Sequence, residues 1–235
     1  MISSSTIYPY RHRAIAALFI LLCCSILFSS ARAQRSETSD SVRFKVLGCL
    51  YRSIEALNKR NVRFKSLQDE LEAMHPLEPQ SMDSVHFAAN LNQVAKYLRF
   101  LNTHRTEITK GVRALSDTIR MLENLVAKDA EKKALENFLA AYKDESAAFI
   151  RYSQYLSVML TDVRLAIVFL QGVPMERKGN EVTFNTDKSA NEKYLDFESR
   201  IAAERMKVDD AIEHSIKLTE KENKVIQETL ALFNK

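Results

Sequence analysis

The sequence predicts an all-α chain: an elongated antiparallel four-helix bundle, up-down-up-down, with a small β-hairpin inserted between helices 3 and 4. Three observations carry this expectation. Only four glycines and four prolines occur in 235 residues, so little interrupts long helices. Stepping alternately by four and three from Phe87 gives Phe87, Leu91, Val94, Leu98, Leu101, Arg105, Ile108, Val112, Leu115, Ile119, Leu122 and Val126, of which only Arg105 is polar. A 3.5-residue spacing keeps one narrow stripe facing a partner, as in coiled coils and long bundles. Such a rod, roughly 60 Å long at 1.5 Å per residue, cannot bury its stripe alone, and matching stripes precede and follow it.

The first 33 residues read as a secretory signal peptide, with Arg11 and Arg13 ahead of an apolar run, Ala14 to Phe28, and Ala31-Arg32-Ala33 as a small-x-small site before Gln34. The apolar run is about 15 residues, shorter than the roughly 20 that span a bilayer. Cys23 follows Leu22, which is too bulky for a lipoprotein cleavage site. Of 34 basic residues, Arg11, Arg13 and Arg32 precede the site and no acidic residue does, which leaves 31 basic against 30 acidic. So balanced a chain lacks the basic excess that a nucleic-acid binder needs, and no nucleic-acid partner is expected. Cys23 and Cys24 leave with the signal, and Cys49 alone has no partner for an internal disulfide. Export without disulfides suits a bacterial periplasm or cell surface.

Residues 34–235 are expected to form one helical domain. Helix 1 is predicted over 39–75, capped by Ser39 or Ser41 and ended by His75-Pro76, with Pro76 to Pro79 as a short rigid turn. Short turns join antiparallel neighbours. Helix 2 is predicted over 82–126, capped by Ser81 or Ser84. No glycine or proline marks its end, so the break is read at Ala127-Lys128-Asp129, with Asp129 as cap. Without that break one helix would run from Ser84 to Leu170, roughly 130 Å, with no partner of matching length.

Helix 3, over 129–171, repeats the heptad through Leu135, Phe138, Tyr142, Glu145, Phe149, Tyr152, Leu156, Met159, Val163, Ala166 and Leu170. Asp162 and Arg164 interrupt its most apolar run and favour a packed bundle end over a membrane span. After Gly172, residues 173–184 read as a hairpin around Gly179-Asn180. An isolated hairpin is marginal, so this one is expected to lean on the bundle. Ser189 and Glu192 form a capping box that opens helix 4, over 189–233.

Chemistry is sparse. No nucleophile elbow, phosphate-cradling glycine loop or dinucleotide fingerprint occurs, so no enzyme and no cofactor are expected. Asp210 and His214 are four apart, but no second pair of that kind completes a carboxylate-bridged metal site, and no metal is expected. Arg105 and Glu145 are the charged members of otherwise apolar stripes. They read either as a buried ionic site for a ligand or hinge, or as polar residues that set register or reach out to water. The hairpin supplies the other candidate contacts, Arg177, Lys178 and Phe184, because an irregular excursion on a regular scaffold often carries function.

The expected function is therefore an exported, non-catalytic bundle that binds a protein partner or a small ligand in the cell envelope. Two alternatives stand beside it. One is a membrane-active bundle with the general shape of α-helical pore-forming toxins, a likeness of architecture only, acting at a membrane surface. The other is a self-associating coiled-coil component, since heptad stripes pair between chains as readily as within one.

Overall fold

A computed structural model describes residues 37–74, 84–178, 181–184 and 188–234. Among the described residues the protein is all-α with four helices: α1 (Glu37–Met74), α2 (Ser84–Glu123), α3 (Asp129–Gln171) and α4 (Lys188–Phe233). Between α3 and α4 lie two short strands, β1 (Met175–Lys178) and β2 (Glu181–Phe184), paired antiparallel. The chain divides into two units, residues 1–40 and 41–235; of the first only Glu37 to Asp40, the opening of α1, are described. The predicted signal peptide, the Pro76 to Pro79 turn, Ser81 and the Gly179-Asn180 turn lie outside the described residues.

The helices meet in two cores. The first joins Val46, Cys49 and Leu50 of α1, Leu115, Ile119 and Leu122 of α2, Leu135, Phe138 and Tyr142 of α3, and Ile226, Leu230 and Phe233 of α4. The second joins Phe87, Val94 and Leu101 of α2 to Leu156, Leu160 and Ile167 of α3 and to Val208 and Ala211 of α4. Each core thus takes the start of one helix and the end of the next. Cross-helix contacts run the same way. Thr229 donates to the Ala134 carbonyl (3.4 Å), Lys221 meets Asp144 (3.4 Å), and Arg200 pairs with Asp162, so residue numbers fall along α4 as they rise along α3. Arg63 lies over the Phe100 ring at 4.6 Å and Tyr97 donates to Glu70 at 3.2 Å, which sets α1 and α2 antiparallel too.

Side-chain size explains the most extensive close approach, between α3 and α4. Ala134, Ala141 and Ala148 recur every seven residues and so share one face of α3. Ala141 and Ala148 are buried, as is Ala211 on α4. Small residues on both sides let two backbones come near, where larger ones hold them apart.

Helix ends differ from expectation at several points. α1 begins at Glu37, so Ser39 and Ser41 lie inside it and not at its start. α2 ends at Glu123, not at Val126, whose N–H turns back to the Leu122 carbonyl. Lys128, not Asp129, is the N-cap of α3, and no side chain caps it; Asp129 is already helical, where its charge and that of Glu131 suit the helix dipole. Ser189 lies within the first turn of α4, which begins at Lys188, so it does not stand at the start as the capping-box reading placed it.

Gly111 sits inside α2, where a Cβ would meet the Tyr142 hydroxyl at 3.8 Å, an ordinary contact. Its lack of a side chain only weakens the helix. Gly111→Ala is expected to raise the unfolding free energy by about 0.5–1 kcal/mol in urea titration. A loss of stability would mean that Tyr142 needs that space.

Candidate functional site

The paired strands β1 and β2 pack against the second core at one end. In their register Met175 faces Phe184, Glu176 faces Thr183, Arg177 faces Val182 and Lys178 faces Glu181. Met175 and Phe184, the pair at the open end, both pack against that core. Phe184 also meets the Tyr194 ring of α4 at 5.5 Å. The structure therefore places the predicted Phe184 as an anchor of the paired strands. Arg177 and Lys178 lie on β1, in its second half; their side chains lie outside the described residues.

α3 and α4 also carry apolar side chains on their outer faces. Val158, Leu165 and Val168 of α3 are each close to half exposed, as is Leu195 of α4. Phe169 packs against Phe197 at 5.8 Å, and Lys193 lies over the Phe169 ring at 5.0 Å. Asp162, only 5 % exposed, pairs with Arg200, which also reaches Asp196 at 3.7 Å. The acid inside the apolar run of α3 is thus a tie to α4. By length and composition α3 also meets what a membrane-crossing helix needs, as the core helix of a soluble protein does.

Two tyrosines report the burial at this end. Burial, with a smaller contribution from Glu70, pushes the Tyr97 hydroxyl up to about 12, and burial with Glu198 beside it pushes Tyr194 up as well. Both stay neutral in the folded chain where the unfolded chain would ionise. The stability they contribute is complete below about pH 10 and is lost as pH rises from there through the folded values. Between about pH 10 and 11.5 the unfolding free energy is expected to fall by roughly 1.4 kcal/mol per pH unit for each such tyrosine, and Tyr97→Phe is expected to flatten that slope. An unchanged slope in the variant would contradict the burial of this hydroxyl.

Arg105 and Glu145 lie in the stretch between the two cores. Glu145 is buried at 2 % exposure and Arg105 is half-buried. Among the described residues no ion pair joins them. Other buried polar groups lie on the same stretches: Ser146 follows Glu145 on α3, and His104 of α2 stacks on Phe100 at 5.1 Å and meets the edge of Phe149 at 5.6 Å. The His104 Nδ1 lies 3.2 Å from Glu107. The sequence shows the charged entries in the stripes but not these other polar groups, because His104 and Ser146 stand off the strict heptad. Cys49 is buried in the first core, where desolvation pushes its thiol up and leaves it a poor nucleophile.

A groove opens on the surface between α3 and α4. Its volume is about 230 Å³, and it is lined by Ala148, Arg151 and Tyr155 of α3 and by Lys207, Asp210, Ala211 and His214 of α4. The cause is local. Ala148 and Ala211 leave a dip where the helices come close, and the longer side chains one turn away make its walls. Asp210 and His214, considered above as a metal pair, both border it. Among the described residues no group of three His, Cys, Asp or Glu side chains is placed to hold a metal ion. No helix stripe points to this groove in the sequence, since its walls come from two segments about sixty residues apart.

No protein-family model, no characterised protein and no solved structure is similar to this chain.

Proposed function

We propose that the chain is an exported, non-catalytic helical bundle that binds a protein partner in the cell envelope through the hairpin and the adjoining end of α3. On this reading the four helices form an up-down-up-down bundle, a view supported by two cores that each draw on alternating helix starts and ends. The export step rests on Ala31-Arg32-Ala33 behind its apolar run. The observations that carry the contact surface are Met175 and Phe184, which pack the paired strands on the second core, and the exposed Val158, Leu165 and Val168 on α3, the helix that leads into those strands. A small excursion held firmly on a rigid scaffold, with apolar side chains left exposed on the scaffold, is how interaction surfaces are commonly built.

Leu165→Asp tests this. The residue is 45 % exposed, so folding is expected to change by less than about 1 kcal/mol. Cross-linking of the purified chain to its envelope partner is expected to fall about tenfold or more. Equal cross-linking by a folded variant would contradict the surface.

A second reading is favoured by the same exposed side chains, because they lie on the helix with membrane-crossing composition. A membrane-active bundle would release dye from liposomes, and Leu165→Asp would abolish that release. Self-association would appear instead as a dimer in sedimentation that the same substitution dissociates.

A further inference from the structure

The groove between α3 and α4 has Arg151 on its α3 wall and Lys207, Asp210 and His214 on its α4 wall. Among the described residues neither Arg151 nor Asp210 has an ion-pair partner. Lys207 is occupied by Glu204 at 2.6 Å, one turn earlier on its own helix. The floor, Ala148 and Ala211, is apolar, and Tyr155 contributes a ring and a hydroxyl at the edge. A plain anion attracted by Arg151 would face the Asp210 carboxylate, and a plain cation would face the guanidinium. A molecule that carries both charges a few bonds apart satisfies both walls.

We propose that this groove binds a small zwitterion of the free amino acid class, its carboxylate on Arg151 and its ammonium on Asp210. Arginine presents a planar fork that matches a carboxylate with two parallel hydrogen bonds, and an aspartate accepts from an ammonium. Size supports the class. At about 230 Å³ the groove is smaller than the roughly 300–1,000 Å³ of sites for drug-sized ligands, and it suits about ten non-hydrogen atoms. Tyr155 and the two alanines offer a side chain an apolar or aromatic resting place. The site is open to solvent and its charges are well hydrated, so a dissociation constant on the order of 1 mM is expected. It is separate from the hairpin surface and does not rest on it.

Titration calorimetry of the full chain with the twenty free L-amino acids, each to about 10 mM or to its solubility where that is lower, tests the proposal. At least one is expected to bind saturably. Its N-acetyl derivative, which lacks the ammonium, and its amide, which lacks the carboxylate, are each expected to bind about tenfold more weakly or not at all. Asp210→Asn is expected to remove the preference for the free amino acid over the N-acetyl form, and Arg151→Gln the preference over the amide. That crossed pattern distinguishes a site with two charge contacts from a general change in the surface. Both residues lie at the surface, so unchanged thermal melting is expected to show that the variants fold. No saturable binding by any amino acid, or binding that neither substitution alters, overturns the proposal.

Discussion

Phe138→Ala is expected to lower the unfolding free energy by roughly 3–5 kcal/mol, with a drop in melting temperature on the order of 10 °C. Phe138 has no solvent exposure and lies in the core to which all four helices contribute. Its ring meets Tyr142 at 6.4 Å, so truncation removes apolar burial and an aromatic contact and leaves a cavity. Neighbours on four different helices cannot all move in to fill it. The comparison is Leu165→Ala, on the same helix but half exposed, for which the loss is expected to stay under about 1 kcal/mol. Urea unfolding of both variants with an unchanged slope checks the contrast. Equal effects would mean that α3 does not bury the face described.

Arg200→Met is expected to destabilise the chain by about 2–3 kcal/mol. It leaves Asp162 buried without the cation that offsets its desolvation. The figure lies below that for a fully enclosed pair, because the Arg200 side chain is 47 % exposed and water reaches it. Changing both residues, Asp162→Leu with Arg200→Met, is expected to restore most of the loss, since well-packed apolar groups can replace a buried ion pair. A double-mutant cycle measures this directly. If Arg200→Met alone changes stability by less than about 0.5 kcal/mol, the tie between α3 and α4 is not made.

Helix positions were legible because period and breakers act locally. All twelve positions of the Phe87 to Val126 stripe are buried or half-buried, and so are all eleven of the Leu135 to Leu170 stripe, the charged Arg105 and Glu145 included. The break near residue 128 was legible from length alone, since no other segment could partner an unbroken rod. Helix caps were less legible. Lys128 at the start of α3 makes no capping hydrogen bond, so the helix begins there without the side-chain signal that Asp129 suggested.

What the sequence hid depends on which faces meet. The heptad step already separates Val163, which is in the stripe and buried, from Leu165, which is off it and half exposed. It does not say which of the remaining faces a neighbouring helix covers: Ile167, also off the stripe, is fully buried. The partner of Asp162 was hidden for the same reason, because Arg200 lies 38 residues away in an unremarkable polar stretch. The groove was hidden because two alanines carry no signal until their helices are brought side by side.

The most direct measurement is a pull-down with mass spectrometry from the envelope and culture fluid of the source cells. It compares residues 34–235 with a variant in which 174–183 are replaced by a short glycine-serine linker. Phe184 stays in place, and circular dichroism monitors the helices. The expected result is a protein partner retained by the native chain and lost by the folded variant. A partner retained equally by both would contradict a contact surface built on the hairpin.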